Sequence, residues 1–508
     1  MIPKPPFSRD LTSEEEAAEF ERLKPRLDAL WDALSAREEE PYTSVVIPSL
    51  TLDQSELGKL EAASFYEERL LFLLIRLRNP QARMVYVTSQ PVHSLILEYY
   101  FQLLAGIPAS HARSRLTLLC AQDASPRSLT EKILERPRLI QRIRYGISDP
   151  SRAFMTVFNS TALERRLSVL LGIPLNGVDP SLSHLGTKSG SRKVFREAGV
   201  PCPEGFEDLK TEDDVVRALE ELRRRRPGIR KAILKFDDSF SGEGNAVFRY
   251  PDAPGRDALR EALGRLSFAV DCESRPHFLS KFAEMGGIVE EFLEYPDGGV
   301  SPSVQLRIDP RGEVVLLSTH DQILGGPHRQ VYQGCWFPAD ESYRRRIQEA
   351  AIRVGTILAG HGVVSRFGVD FFVGQPDGGE PEIHALEINL RMGGTTHPYL
   401  ALQFLTGGKL DPESGAFVSP GGRLKCYRST DNLKSEAYRG LCPEDLIDIT
   451  TMNRLHYSHG TGTGALFHMI GALSQYGKLG LTAIGNSREE ADAIFAQALE
   501  ALDREAAR

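Results

Sequence analysis

The stretch Phe367-Gly-Val-Asp370, followed by Glu387-Ile-Asn389-Leu-Arg391, decides how this chain is read. Glu387 and Asn389 are two apart, so in a β-strand their side chains share a face, and Arg391 continues the alternation. Upstream, Gly368 to Val373 reads as a second strand, and Gln375-Pro-Asp-Gly-Gly-Glu380 between the two is turn chemistry. A symmetric hairpin then sets Asp370 opposite Glu387, with paired side chains about 5 Å apart on one face. Two carboxylates and an amide at that spacing are hard oxygen ligands. They suit Mg²⁺, or Mn²⁺, held together with the phosphates of a nucleotide. Taken alone, the stretch equally describes a hairpin with three solvated polar residues.

The remaining composition narrows the field. A chain of 508 residues predicts three or four domains with sizeable cores. Hydrophobic content of 41% and charged content of 26% are those of an ordinary globular protein. A net charge of −8 argues against a nucleic-acid surface. The densest basic run, Arg223 to Arg226, closes an amphipathic helix, where cations complement the helix dipole. Six scattered cysteines without a C-x-x-C fit a reducing compartment and neither a disulfide framework nor a zinc site. The first ten residues lack the apolar core of a signal peptide, and the longest apolar run, Leu70 to Ile75, is too short to span a bilayer. The expectation is a cytoplasmic protein with no membrane and no nucleic-acid partner.

Along the chain, residues 11–38 read as a helix capped by Thr12 or Ser13, with Phe20, Leu23, Leu27, Leu30, Trp31 and Leu34 on one stripe. A helical segment over 1–40 is expected to precede a Rossmann-like domain over 41–186. There four β-rich runs (44–50, 84–89, 116–120, 153–158) alternate with helical windows such as 56–78 and 92–105. No G-x-G-x-x-G is present, so a dinucleotide role is unsupported. A two-lobed unit is expected over 187–405, its small lobe 187–289 and its large lobe 290–405. A Gly- and Pro-rich passage then opens a smaller α/β extension over 406–508, in which Ser487-Arg-Glu-Glu490 is a capping box.

Lys235 ends the strand Lys231–Phe236 and precedes a loop holding Ser241, Gly242 and Gly244, which reads as a lid whose backbone closes over phosphates. Lys188, just ahead of a helix N-terminus, offers a second phosphate cation. Ile288 to Glu294 is an extended link between lobes. Its backbone at Glu290, Glu291 and Leu293 can meet an adenine edge. Glu294, Asp297 and Ser301 remain equal candidates for ribose. Arg391 beside the metal strand would stabilise charge on a transferring oxygen, and Gly393-Gly394 opens a tight loop whose backbone could bind an oxyanion. Arg307, His320, Asp321 and Gln322 are candidates for lining an acceptor site. Cys335 reads as packing, and Gly460 to Gly464 as a turn.

The order of these parts resembles the ATP-grasp superfamily over roughly residues 186–400: lysine and helix, strand lysine with glycine loop, E-E-x-L link, then D…E-x-N-x-R. The phrases HLGTKSGSRKVFREAGVP, FSGEGNA, STHDQILGG, EINLRMGGTTHP and GKLGLTAIGNSREEADA are similar to the peptide ligases of pheganomycin biosynthesis and their relatives, which extends the likeness over most of the chain. The resemblance implies an α/β ATP-grasp fold behind a Rossmann-like leading domain. In such enzymes Lys188, Lys235 and the glycine loop would hold the triphosphate of ATP, the Glu290–Leu293 link adenine, and Asp370, Glu387 and Asn389 Mg²⁺. The implied activity is ATP-dependent ligation of a small-molecule carboxylate to an amine or peptide acceptor through an acyl phosphate. Biotin carboxylases are similar around the metal strand, but they place a glutamate before the His-Pro pair to deprotonate bicarbonate. Thr396 stands there instead, against carboxylase chemistry. The alternatives are a non-catalytic ATP-binding regulatory module, an acid–thiol ligase, or a small-molecule kinase. The identities of acid and amine, and whether the chain forms a homo-oligomer, stay open.

Overall fold

The first β-branched runs form a parallel sheet: β1 (Thr43–Ile47), β2 (Arg83–Thr88), β3 (Leu116–Cys120), β4 (Ala153–Val157) and β5 (Leu175–Asn176), in the order β3-β2-β1-β4-β5. All residues of β1 and β4 are buried, so these strands read as continuous apolar runs rather than alternating ones. Growth outward from β1 on both sides is the doubly wound arrangement. This computed structural model describes residues 11–37, 39–104, 106–238, 244–253, 255–268, 274–296, 298–325, 331–376 and 379–506. The helix Ser13–Ala36 begins at a reciprocal cap between Thr12 and Glu15 and sets Phe20 and Leu23 into the core of this sheet.

The window expected as one helix over 56–78 divides into a short helix, Gln54–Lys59, and a 3₁₀ run, Ala63–Arg78. Tyr66 to Ile75 are buried without a break, charged residues included. An element covered on every side needs no amphipathic stripe, so periodicity could not define its helix type. Its apolar side chains share one core with the C-terminal strands.

A second sheet is antiparallel, in the order β6-β10-β7-β8-β9: β6 (Gly205–Leu209), β7 (Lys231–Phe236), β8 (Asn245–Arg249), β9 (Ser267–Phe268) and β10 (Gly287–Glu291). The helix Glu212–Arg225 covers it through Val215, Leu219 and Leu222, and Arg223 to Arg225 occupy its last turn.

The third sheet has eight strands, ordered β15-β14-β11-β12-β13-β18-β20-β19. They are β11 (Pro302–Ile308), β12 (Val314–Gly325), β13 (Val331–Phe337), β14 (Ser365–Gly374) and β15 (Glu382–Asn389). After a small separate pair, β16 (Lys409–Leu410) with β17 (Phe417–Val418), come β18 (Cys426–Lys434), β19 (Gly464–His468) and β20 (Lys478–Gly485). The C-terminal strands thus continue the sheet that carries Asp370 and Glu387, joined to it where β13 pairs β18. The helices Glu341–Gly360 and Lys188–Glu197 pack on this sheet through Ile347, Val354, Leu358 and Phe195.

The β14–β15 hairpin pairs Asp370 with Glu387 and Gly368 with Asn389. The pairing is the expected one, but not by symmetry. Nearer the turn Phe371 faces Ala385 and Gly374 faces Glu382, and the register shifts between Asp370 and Phe371. A symmetric count outward from Gly374–Glu382 would have brought Leu386 opposite Asp370. The bulge absorbs one residue and returns Glu387 to that place.

Candidate active site

A cavity of about 470 Å³, in the range of small-molecule sites, is lined by residues of the second and third sheets, the 3₁₀ run and the loop after β15. Lys188, Lys235, Glu290, Glu291, Leu293, Asp370, Glu387, Asn389, Arg391, Gly393 and Gly394 all line it. Sequence positions spread over some two hundred residues therefore converge on one wall.

The hairpin residues are tightly linked. Asp370 accepts hydrogen bonds from Gln322 Nε2 (2.9 Å) and Asn389 Nδ2 (3.0 Å), and Lys188 Nζ donates to Glu387 Oε1 at 2.6 Å. Burial, reinforced by the neighbouring Glu387 charge, pushes the Asp370 carboxyl up to about 7. Burial also opposes ionisation of Glu387, but the Lys188 ammonium and the Arg391 guanidinium outweigh it and hold that carboxyl below its ordinary value. Two acids of one wall are thus driven apart by their surroundings, a pattern concentrated at functional sites. Burial lowers Arg391 from the ordinary arginine value, and nearby Arg69 acts in the same direction.

Lys235 forms a buried ion pair with Glu290, which also accepts from Arg192 Nη1 at 2.9 Å. Arg192 donates in turn to the Pro203 carbonyl at 2.9 Å, so the brace ties the Lys188–Glu197 helix to the second sheet. The Glu291 carboxylate accepts the Glu204 N–H at 2.9 Å, and Leu293 and Phe292 give the cavity apolar surface. Gly244 shapes the start of β8, its carbonyl accepting the Phe236 N–H, and Asn245 beside it reaches the cavity. Ser241 and Gly242 lie outside the described residues, as does Asp297. Of the ribose candidates, Ser301 lines the cavity, whereas Glu294 pairs with Lys231.

Three candidates for the acceptor site are corrected. Arg307 lies over the Trp31 ring at 4.6 Å, covered by the N-terminal helix. His320 is fully buried, joined to Tyr427 Oη at 2.6 Å and packed beside Phe337. Asp321 accepts from Tyr343 Oη at 2.7 Å and from Arg488 at 3.1 Å. None of the three lines the cavity. The segment looked exposed because it is polar, but its partners come from residues 31, 343, 427 and 488, which local reading could not bring near. The neighbouring Gln322 is the residue of this stretch that faces the site.

The loop after β15 also differs from expectation. The Gly393 N–H is taken by Thr396 Oγ1 at 3.0 Å, and the Thr396 N–H donates back to the Gly393 carbonyl. Gly393 therefore does not offer that N–H to an oxyanion. Gly394 has to be glycine for space: a Cβ there would meet the Tyr332 ring at 2.7 Å. Cys335 is buried and its thiol pushed up to about 12 by burial, in keeping with packing. The segment Gly460 to Gly464 forms a turn away from the cavity, closed by the Gly462 N–H on the Ser458 carbonyl at 2.7 Å.

Residues that went unnoticed in the sequence form the other end of the cavity. Tyr66 and Arg69 come from the 3₁₀ run, Phe158 follows β4, Asp431 and Asn432 lie on β18, and Lys478 opens β20. No local motif marks them.

The chain belongs to the ATP-grasp superfamily. A family description, IQCH-like ATP-grasp, matches residues 180–251 and 269–413, and the PGM1 C-terminal domain matches 445–495. L-propargylglycine–L-glutamate ligase of Streptantibioticus cattleyicolor is 32% identical over 469 residues, covering 91% of this chain and 94% of its own length. IQ motif-containing protein H of Danio rerio is 25% identical over 428 residues, 74% of this chain but 40% of its own. The biotin carboxylase domain of Hydrogenobacter thermophilus 2-oxoglutarate carboxylase, solved with MgADP, shares the fold with a TM-score of 0.56 at 14% identity, over 90% of this chain and 89% of its own. An N5-carboxyaminoimidazole ribonucleotide synthetase does so with a TM-score of 0.51 at 12% identity, over 92% and 97%. The chain is an ATP-dependent ligase of the carboxylate–amine type. Among the described residues no helix is long and apolar enough to cross a membrane.

Proposed function

We propose that this protein joins the carboxylate of one amino acid to the amine of a second amino acid or peptide through an acyl phosphate. The observation that carries this reading is the pairing of Asp370 with Glu387 on a cavity wall shared with Asn389, Arg391, Lys188 and Lys235. The relative in Streptantibioticus, named for an amino-acid pair, supports substrates of that class.

The donor set fits a hard divalent cation: it is all oxygen, and its two neighbouring, half-buried carboxylates raise the cost of charge on one of them. Asp370, Glu387 and Asn389 would hold Mg²⁺, with Mn²⁺ able to replace it, and the metal supplies charge neutralisation on the triphosphate. Lys188 and Lys235 would leave Glu387 and Glu290 to neutralise phosphate oxygens. The link Glu290–Leu293 presents backbone groups and apolar surface to adenine, and the segments 187–289 and 290–405 act as the lobes that clasp the nucleotide. The substrate carboxylate oxygen attacks the γ-phosphorus and ADP leaves. The amine nitrogen then attacks the acyl carbon, inorganic phosphate departs and the nitrogen loses its proton. Arg391 clamps the transferring phosphoryl oxygens in its planar fork.

Mass spectrometry of products formed from ATP, Mg²⁺ and pooled amino acids and peptides tests the proposal. Amide product with ADP release that depends on added amine is expected. ADP release with a phosphorylated acceptor and no amide would replace ligation by kinase chemistry.

A further inference from the structure

Resting on the ligase reading, we propose that the corner of the cavity formed by Arg69, Lys478 and Tyr66 binds a carboxylate that the reaction does not consume, the spectator carboxylate of an amino-acid substrate. Lys478 is 8% exposed and Arg69 is 2% exposed, yet both line the cavity. The Lys478 ammonium donates to Tyr66 Oη at 2.8 Å and lies 4.9 Å from the centre of that ring. The Arg69 guanidinium lies 4.5 Å from the Tyr66 ring and 4.6 Å from Phe158, a stack that fixes its plane.

The charges in this corner do not balance. Among the described residues no carboxylate lies within ion-pair distance of Lys478. Asp431, which accepts from Arg69 Nη1 at 3.1 Å, also lies 2.9 Å from His468 Nε2 and 3.2 Å from His397 Nε2. Its carboxylate thus faces three nitrogen groups before any substrate enters. Arg69 Nη2 is buried without a hydrogen-bond partner. Glu61 at the cavity edge is paired with Lys434, and Glu68 accepts the Gly471 N–H while burial pushes it up to about 7. A buried cation lacking an anion is costly unless a ligand supplies one. An orphan guanidinium N–H beside an ammonium is the donor set for a carboxylate. The corner shares its cavity with the reacting groups, since Arg69, Lys478 and Arg391 all line it. An α-amino acid reacting through its amine or its side-chain acid keeps at least one carboxylate, and this corner answers to it.

The test uses the full chain with Mg²⁺ and a non-hydrolysable ATP analogue. Calorimetry compares L-glutamate, L-glutamine and L-isoglutamine. A ligation assay compares pooled L-amino acids with the pooled amides of the same amino acids. The wild type is expected to favour the free carboxylate over the matching amide by on the order of tenfold to a hundredfold, the worth of one charge-assisted hydrogen bond. Lys478→Met, its fold checked by thermal melting, is expected to erase that preference and leave ATP affinity unchanged. The amide that the wild type discriminates against identifies which substrate, and which of its carboxylates, the corner holds. Wild-type indifference between acids and amides overturns the proposal, as does a Lys478→Met variant that loses ATP binding. Carboxylate binding that depends on Lys478 without any ligation leaves the corner standing and removes the ligase reading instead.

Discussion

The two ends of the cavity handle charge in opposite ways. At the hairpin end each lysine rests against an acid, Lys188 on Glu387 and Lys235 on Glu290. On the proposed reading, binding there exchanges partners: phosphate takes the lysines, and the freed Glu387 is offered to metal. At the Arg69–Lys478 end the cations exceed the acids that could answer them, and binding adds the missing anion. The first end is therefore self-compensated when empty, and the second is held together by the packing that stacks Arg69 between aromatic rings. The lesson is that a preorganised site can be stored either as an internal ion pair or as an unsatisfied charge.

Substitutions can break this contrast. Glu387→Gln, or Asn389→Ala, is expected to lower turnover the most, by roughly 3–4 kcal/mol of transition-state stabilisation or about a thousandfold, with an unchanged circular-dichroism spectrum. Wild-type ADP formation by either variant at saturating Mg²⁺ would remove the metal assignment. Next, Arg391→Lys should cost about 3 kcal/mol, on the order of a hundredfold in amide formation, because a point charge cannot hold two oxygens in a plane. Its ATP affinity should stay the same; loss of ATP binding would move Arg391 from acyl phosphate to nucleotide. Lys235→Ala is expected to raise the KM for ATP about tenfold and leave the KM for the amino acid alone, so a reversed pattern in steady-state kinetics would erase the distinction between the two ends.

The smallest effect is a stability difference with a definite sign. With its carboxyl raised from 3.8 to about 7, folded Asp370 keeps a proton that the unfolded chain has already released across that window. Stability contributed by this group therefore falls as pH rises from about 4 to about 7. Asp370→Asn avoids the loss, so the metal-free variant should melt a few degrees above wild type at pH 8, with a smaller gain at pH 5. Thermal melts at the two pH values that show a constant gap would mean that Asp370 is ionised throughout.

How much of this was legible in sequence follows from how far apart the partners are. Glu387, Asn389 and Arg391 share one strand, so alternation alone grouped them, and Lys188 and Lys235 were marked by the helix start and glycine loop beside them. The pairing of Asp370 with Glu387 was reached by a symmetric count that the real hairpin does not obey. The bulge beside Asp370 supplies the missing residue, and bulges leave little trace in composition. Arg307, His320 and Asp321 were drawn toward the site by their polarity, but a buried polar side chain is satisfied by whatever the fold brings to it. Arg69 lay in a window read as helix and Lys478 in the C-terminal α/β extension, and nothing local distinguishes a cation awaiting a ligand from one awaiting a neighbour.

That the eight-stranded sheet is finished by β18 to β20 has a consequence for how the protein comes into being. The contacts Arg69–Asp431 and Tyr66–Lys478 span 362 and 412 positions of chain. Synthesis proceeds from the N-terminus, and domains form as they emerge. Every phosphate-facing residue proposed above is made before Lys478 leaves the ribosome. A nascent chain halted ahead of β20 would carry the whole hairpin while one wall of its substrate chamber was still unwritten.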